Sequence, residues 1–298
     1  MPIYPNFYQT LSACPIVELR GYAAACGLKG RLYAYLDFAG PTGTARDGLA
    51  EGMLALAIEK KKLSTGQPII EAASGPFAAA LTLAGLTAGH PVVLVMPEDA
   101  PALRQETLLR LGAQIRHSPA RSGVNGARRL AVQTAAANGW YYMDWLANDD
   151  NPEYHRRVTG PQILKAAGDA IDAVVIGVGS GGTITGVAEY LKAWNSMIRI
   201  VAVEPSECAA ISGGFIGHHS IAGIGPGFVP ENYNPYVVDT VLTVSSADAE
   251  RAAREVLFYD GIPACSSAGA TLCAATQLMG TGKCNRPLCI FAGRRTYE

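Results

Sequence analysis

The chain has 298 residues, of which 49% are hydrophobic and 16% are charged, so we expect a folded globular protein with one large or two smaller domains. The formal net charge of −1 gives no electrostatic reason to expect nucleic acid or an anionic membrane as a partner. The seven cysteines form no CxxC pair, and no cysteine and histidine spacing is typical of a metal site. We therefore expect reduced thiols, no metal and a cytoplasmic location.

Short apolar segments alternate along the chain with alanine-rich segments of helical length. In chain order the pattern predicts helix 47–62, helix 76–88, strand 92–97, helix 100–112, strand 113–117, helix 125–138, helix 159–168, strand 173–178, helix 183–195, strand 199–204, strand 240–244, helix 247–259, helix 268–279 and strand 288–292. Continuous apolar strands between helices predict parallel sheets that are covered on both faces. We therefore expect an α/β fold with two domains and a cleft between them, and the polar segment 147–152 is the candidate crossover.

A glycine-rich segment, residues 177–183 (GVGSGGT), follows one predicted strand and leads into a predicted helix. This order is typical of an anion-binding loop, because glycine permits close backbone approach and a helix N-terminus offers free N–H groups. The spacing of Gly177, Gly179 and Gly182, with Glu204 ending the next strand, also allows a dinucleotide-binding interpretation. A packing turn without any ligand is the third alternative.

Many segments along the chain match one family in the correct order. The segment 40–47 (GPTGTARD) resembles the Asn-Pro-Thr-Gly-Ser-x-Lys-Asp signature of fold-type II pyridoxal-phosphate (PLP) enzymes, which include cysteine synthase and cystathionine β-synthase. Further matching segments are 12–19 (SACPIVEL), 71–75 (EAASG), 95–98 (VMPE), 111–113 (LGA), 151–152 (NP), 159–163 (TGPQI), 202–205 (AVEP), 223–230 (GIGPGFVP) and 267–269 (SAG). The resemblance covers nearly the whole chain.

This resemblance implies a tryptophan synthase β-like fold of two three-layer α/β/α domains, and a homodimer. It places the smaller domain at 40–146 and the larger one at 1–39 together with 147–298. The residues that it implies for PLP binding are Gly179, Ser180, Gly181, Gly182 and Thr183 for the phosphate, and Ser267 for the pyridine nitrogen. The residues that it implies for substrate binding are Thr44, Ser74, Gly75, Pro76, Phe77, Trp145 and Gly223.

The chain departs from the family pattern where the cofactor and the substrate carboxylate are bound. Arg46 stands where the family has the lysine that forms a Schiff base with PLP, and a guanidinium cannot lose a proton to form one. Pro76 and Phe77 replace the asparagine and threonine of the substrate loop, and Ala73 replaces its other threonine. Asp144 introduces a negative charge where the family has glutamine.

Three explanations account for these departures. An isolated lysine-to-arginine exchange explains Arg46 but not the changes at 73, 76 and 77. Decay to an inert scaffold predicts loss of the glycine loop, whereas 179–183 and Ser267 are retained. Repurposing of the site fits best, although retention of the loop for packing stays open.

Three functions remain as hypotheses. In the first, PLP is bound without a covalent bond, and Asp144 or Tyr142 replaces the missing base. In the second, PLP is absent and Arg46 binds a small anionic metabolite or amino acid in a lyase, cyclase or transferase reaction. In the third, the protein is catalytically silent and acts as a binding or regulatory partner. The first two predict loss of function in Arg46→Ala, and the third does not.

Several residues also have simple structural interpretations. Arg46 can pair with Asp47 or Asp144, and His155 is expected to be a structural hydrogen-bonding residue at the domain crossover. The run 60–62 (KKK) is expected to be a solvated helix end, because basic residues suit the negative end of the helix dipole.

Overall fold

The computed structural model describes residues 3, 7–8 and 14–295, so residues 12 and 13 of the 12–19 motif lie outside the described residues. The chain divides into two compact units. The larger unit comprises Met1–Ala45 and Asn151–Glu298, and the smaller unit comprises Arg46–Asp150.

The bounds predicted for the smaller domain, 40–146, differ from those of the smaller unit. Residues 40–45 belong to the larger unit, because Thr44 forms an antiparallel bridge with Gly293 and the Ala45 N–H donates to the Ala292 carbonyl. Residues 147–150 belong to the smaller unit, in which the Asp150 carboxylate pairs with two lysines of the same unit.

The strands of the described residues form two sheets. They are β1 (Ile16–Glu18), β2 (Tyr33–Leu36), β3 (Ile69–Glu71), β4 (Val92–Pro97), β5 (Gln114–Ser118), β6 (Tyr141–Tyr142), β7 (Ala173–Gly177), β8 (Arg199–Pro205), β9 (Thr240–Val244) and β10 (Pro287–Phe291). The larger unit has the order β1-β2-β10-β7-β8-β9, in which only the β1–β2 pair is antiparallel. The smaller unit has the all-parallel order β5-β4-β3-β6.

Helices connect most of these strands. They are α1 (Arg20–Ala25), α2 (Arg46–Glu59), α3 (Pro76–Thr87), α4 (Ala102–Arg110), α5 (Gly123–Asn138), α6 (Asp150–Tyr154), α7 (Gly160–Ala167), α8 (Gly182–Trp194), α9 (Ser246–Asp260) and α10 (Ser266–Gly280). A π-helical turn at His155–Thr159 continues α6 into α7. The predicted α/β fold class is confirmed, whereas β1, β2, β3 and β6 were not predicted because they are too short to show a clear period.

The sheet of the larger unit is covered on both faces, as its continuous apolar strands predict. Cys289 and Phe291 of β10 join a hydrophobic cluster that contains residues of α10. Leu288 and Ile290 of the same strand join the opposite cluster, which contains residues of α8. Successive side chains of a strand point to opposite faces, so this strand contributes to two cores.

The four-stranded sheet of the smaller unit also packs against a helix. Val93 and Val95 of β4 pack with Ala127 and Ala131 of α5 in one hydrophobic cluster. The smaller unit therefore buries one face of its sheet beneath α5, and the carboxyl ends of β3 and β6 lead into the loops described below.

Close packing of α9 against α10 yields a stability prediction for the larger unit. A Cβ atom on Gly269 of α10 would overlap the carbonyl oxygen of Ala249 and lie 2.8 Å from the backbone nitrogen of Ala253. We expect Gly269→Ala to lower the free energy of unfolding by about 1–3 kcal/mol or more, because backbone atoms must move apart. Urea unfolding measures this change.

Gly280→Ala on the same helix is the matched control, because a Cβ atom there meets nothing within 4 Å. We expect this variant to be neutral or more stable by up to about 1 kcal/mol, since alanine is a better helix former than glycine. Equal stability changes in the two variants would contradict the packing described for α9 and α10.

Candidate active site

The glycine loop, residues 177–183, joins the carboxyl end of β7 to α8 in the larger unit. Gly181 immediately precedes α8 and has a φ of +83°, a left-handed conformation that favours glycine. A Cβ atom on Gly181 would lie 2.7 Å from the backbone nitrogen of Tyr233, and one on Gly182 would overlap the Asn151 side chain. The first turn of α8 has N–H groups without intrahelical acceptors, so the loop has the geometry of an anion-binding site.

Buried side chains support this loop from the π-helical turn and α6. The Asn151 Nδ2 group donates to Ser180 Oγ over 3.1 Å. His155 lies between two hydroxyls, with 3.0 Å from Nε2 to Thr183 Oγ1 and 2.8 Å from Nδ1 to Thr159 Oγ1. His155 is buried, so its observed contacts are those of a structural hydrogen-bonding residue.

Three other predicted residues lie in the larger unit. Ser267 is the second residue of α10, and its Oγ lies 3.1 Å from Cys265 Sγ. Thr44 lies beside Gly293 at the end of β10. Gly223 is exposed, with a φ of +88°, in a loop that reaches the glycine loop through the Gly225 N–H, which donates to the Val178 carbonyl.

In the smaller unit, three of the predicted residues form a cluster that we call the arginine–aromatic cluster. Its members are Arg46, Phe77 and Trp145. The Phe77 and Trp145 rings are stacked, with centroids 4.5 Å apart and an interplanar angle of 13°. The Arg46 guanidinium carbon lies 5.7 Å from the centroid of the Trp145 ring, which is within cation–π range.

Local sequence explains how these three side chains meet. Arg46 is the first residue of α2, and Phe77 is the second residue of α3. Pro76 occupies the first position of α3, where its missing N–H costs no helical hydrogen bond, and Gly75 precedes it as the extended N-cap. Ser74 lies half-buried before this cap. The substrate-loop motif thus forms the start of α3 and places Phe77 in a buried position.

Glu71 holds the loop after β6 against the loop after β3. Its Oε2 accepts the Trp145 N–H over 3.0 Å, and its Oε1 accepts the Ala72 N–H over 2.6 Å. The pKa of the Glu71 carboxyl is raised to about 7, mainly by burial and to a smaller extent by the nearby Asp144 charge, against the opposing effects of the two N–H donors and of Arg128. Sequence reasoning assigned no role to Glu71, although an acidic residue ending an otherwise apolar strand was an available signal.

Tyr142 and Asp144, the predicted alternative bases, contact Arg128 of α5. Asp144 Oδ1 accepts from Arg128 over 2.9 Å and from the Tyr142 hydroxyl over 3.1 Å. Burial raises the pKa of Tyr142, so its hydroxyl stays protonated at neutral pH and is a poor base. The catalytic assignments of Tyr142, Asp144 and Arg46 stay predictions.

The seven lysines all lie in described residues, at positions 29, 60, 61, 62, 165, 192 and 283. Lys60 follows the C-terminal end of α2, about 20 Å along the helix from Arg46 at a rise of about 1.5 Å per residue. The three lysines at 60–62 are exposed, as predicted for a solvated helix end, and Lys60 and Lys62 also pair with the buried carboxylate of Asp150. No lysine of α2 therefore lies at its N-terminal end, where it could take the place of Arg46.

Comparison with known proteins identifies the class to which this fold and these motifs belong. A sequence model of the family described as "Pyridoxal-phosphate dependent enzyme" matches residues 9–293, and the chain belongs to this family. Cysteine synthases of Staphylococcus aureus are 33% identical to it over 282 residues, which cover 93% of this chain and 90% of the relative.

Solved structures of similar proteins agree with this assignment. O-acetyl serine sulfhydrylase isoform 3 from Entamoeba histolytica has a TM-score of 0.93 and 31% identity, over 98% of this chain and 89% of that one. O-ureido-L-serine synthase has a TM-score of 0.91 and 29% identity, over 98% of this chain and 92% of that one. The chain is therefore a cysteine synthase-like member of fold type II.

Two other kinds of feature are absent from the described residues. No group of three or more histidine, cysteine or acidic side chains in them could hold a metal ion. No helix in this part of the chain is long and apolar enough to span a membrane.

Glu71 yields a prediction about the pH dependence of stability. Its pKa in the folded protein is raised above the value of 4.5 expected in the unfolded chain, so its favourable contribution is present below pH 4.5 and is lost as the pH rises towards 7. We expect the stability of wild type relative to Glu71→Gln to fall by roughly 3 kcal/mol across this range. Urea unfolding of both proteins at several pH values measures the difference.

Other titrating groups are shared by the two proteins and cancel in this comparison. The Glu71→Gln variant loses one of the two hydrogen bonds from backbone N–H groups at every pH. This constant offset does not alter how the stability difference between the two proteins changes with pH. A relative stability that rises between pH 4.5 and 7 would contradict the assigned pKa direction.

Gly181 yields a prediction about the anion-binding role of the loop. Gly181→Ala places a side chain at a φ of +83° and against the backbone of Tyr233, so the loop must shift. We expect binding of PLP to weaken at least tenfold, while pyridoxal without its phosphate binds equally to both proteins. Absorbance titration with each compound measures this, and equal PLP affinity in the variant would contradict phosphate binding by the loop.

Proposed function

We propose that the chain is a divergent cysteine synthase-like enzyme that acts on an amino acid or a related anionic metabolite without attaching PLP covalently at position 46. The observation that carries this proposal is the position of Arg46. It occupies the lysine position of the family motif, begins α2 and contacts the Trp145 ring. The reaction class that we propose is a lyase, transferase or cyclase reaction.

The larger unit supports PLP binding without a covalent bond. Gly181 and Gly182 allow a close backbone approach that a Cβ atom would block against Tyr233 and Asn151, and Ser180 and Thr183 hydrogen-bond to Asn151 and His155. These groups fit a phosphate, and Ser267 offers a hydroxyl for the pyridine nitrogen. When it is bound, PLP supplies an electron-accepting ring and an aldehyde that reacts with amines.

The smaller unit supports recognition of an anionic substrate. The Arg46 guanidinium offers a planar pair of donors that matches a carboxylate, and it stays charged at every accessible pH. Arg46 therefore orients a negative group and does not accept a proton. The stacked Phe77 and Trp145 rings supply an apolar surface that excludes water and contacts a flat or aliphatic group.

The substrate class is supported by the similar proteins. One is named for the synthesis of a serine derivative, O-ureido-L-serine, and another for an O-acetyl serine sulfhydrylase activity. We extend to this chain only the class of substrate, an amino acid or a close derivative. The homodimer implied by the family resemblance stays part of this proposal.

The alternative proposal is a catalytically silent protein that acts on a partner. The replacement of a reactive lysine by Arg46 favours it as well, because the ordinary chemistry of the family is lost. It differs in what it expects of Arg46→Ala, since a silent protein keeps its partner function in that variant. The enzyme proposal expects substrate turnover to fall at least a hundredfold.

The test of covalent attachment is an absorbance titration with PLP, followed by borohydride reduction and intact-mass measurement. We expect the wild-type protein to show a saturable spectral change and an unchanged mass. We expect Arg46→Lys to gain the mass of one reduced PLP, because an amine at the family position can form the covalent bond. Arg46→Gln is the matched control and should gain no mass.

Each outcome of this test is informative. A reduced adduct on the wild-type protein would show that another lysine holds PLP and would contradict the proposal. A covalent adduct on Arg46→Lys alone would support it. Absence of any adduct on Arg46→Lys, together with wild-type-like unfolding of that variant, would contradict the assignment of position 46 to the cofactor.

A further inference from the structure

The smaller unit contains a cavity whose α5 side has no role in the proposed reaction. It lies between the exposed side of α5 and the end of β6, and its volume is about 440 Å³. Residues that line it include Asn125, Arg128, Arg129, Val132, Tyr142 and Asp144. A free amino acid is smaller than this cavity, so the available space does not exclude one.

The side of the cavity formed by Asp144 offers a hydrogen-bond acceptor. The Arg128 guanidinium and the Tyr142 hydroxyl both donate to Asp144 Oδ1. Asp144 Oδ2 has no hydrogen-bond partner among residues 3, 7–8 and 14–295. The Asp144 side chain is 31% exposed, so this oxygen can accept a hydrogen bond from a ligand.

A positive group is available at the same cavity. Arg129 lies one residue after Arg128 on α5, is exposed, and has no ion-pair partner within the described part of the chain. Val132 lies three residues further along the helix and adds apolar surface. The cavity therefore combines a free guanidinium, a free carboxylate oxygen and an apolar wall.

The backbone of Asp144 fixes the acidic side of the cavity. Asp144 has a φ of +49°, a left-handed conformation that aspartate and asparagine tolerate better than most residues. The Ala147 and Asn148 N–H groups both donate to the Asp144 carbonyl, so the turn is held by backbone hydrogen bonds. The backbone of Asp144 is thus fixed by this turn, and Arg128 and Tyr142 bind its carboxylate at the cavity.

We propose that this cavity binds a free α-amino acid with an apolar side chain. Arg129 binds the α-carboxylate, Asp144 Oδ2 accepts from the α-ammonium group, and Val132 and the Tyr142 ring contact the side chain. Both charged groups are partly exposed, so we expect affinity in the millimolar range. Asp144 immediately precedes Trp145 of the arginine–aromatic cluster in the chain, so a ligand here contacts the residue next to that cluster.

The test uses L-valine and two analogues that each lack one charged group. Isovalerate lacks the ammonium group of L-valine, and isobutylamine lacks its carboxylate. Saturation-transfer NMR titration of the full chain gives the affinity of each compound. We expect L-valine to bind at least tenfold more tightly than either analogue, because only L-valine engages Arg129 and Asp144 together.

Four variants locate the binding. Arg129→Ala and Asp144→Asn should each weaken L-valine binding at least tenfold, and asparagine preserves the tolerance for a positive φ at position 144. Arg104→Ala is the matched control, because Arg104 is another exposed arginine of the same unit that lies outside the cavity. Arg104→Ala and Arg46→Ala should both leave L-valine affinity unchanged.

The results separate this inference from the proposed function. Loss of L-valine binding in Arg46→Ala but not in Arg129→Ala would place the amino acid at the proposed active site and overturn the second site. Equal binding of isovalerate and L-valine would overturn recognition of the ammonium group. Absence of L-valine binding at millimolar concentration would overturn the inference and leave the PLP test unaffected.

Discussion

The contact between the Arg46 guanidinium and the Trp145 ring is the interaction on which the proposed site of the smaller unit depends. It joins the first turn of α2 to the loop after β6, and Phe77 at the start of α3 stacks on the same ring. Glu71 fixes the backbone of Trp145 from a third element. Arg46, which we propose stands at the family lysine position, is thus part of a packed arrangement, which favours a retained role for Arg46 over simple decay.

The glycine loop of the larger unit is weaker evidence for a bound phosphate than its sequence suggests. Gly181 and Gly182 are required by the close approach of Tyr233 and Asn151 as well as by any phosphate. Retention of these glycines is therefore expected even in a relative that no longer binds PLP. The residues of the smaller unit that we propose differ from the family pattern are therefore the better guide to function.

The sequence predicted the parts of the molecule that depend on long periodic segments and on motif order. The α/β class, the longer strands, and the grouping of the glycine loop with its helix follow from such local patterns. The bonds of Glu71 to Trp145, of Asp144 to Arg128, and of Lys60 to Asp150 were not predicted. Each joins residues from different elements, and no spacing in the sequence specifies which charged groups meet after folding.

The most direct test of the Arg46–Trp145 interaction is a double-mutant cycle on the free energy of unfolding. The proteins required are wild type, Arg46→Ala, Trp145→Leu and the double variant, measured by urea unfolding. An interaction energy of about 0.5–1 kcal/mol is predicted, because a partly exposed guanidinium lies over an indole ring. Strictly additive effects would contradict it and would show that Arg46 is not held by Trp145.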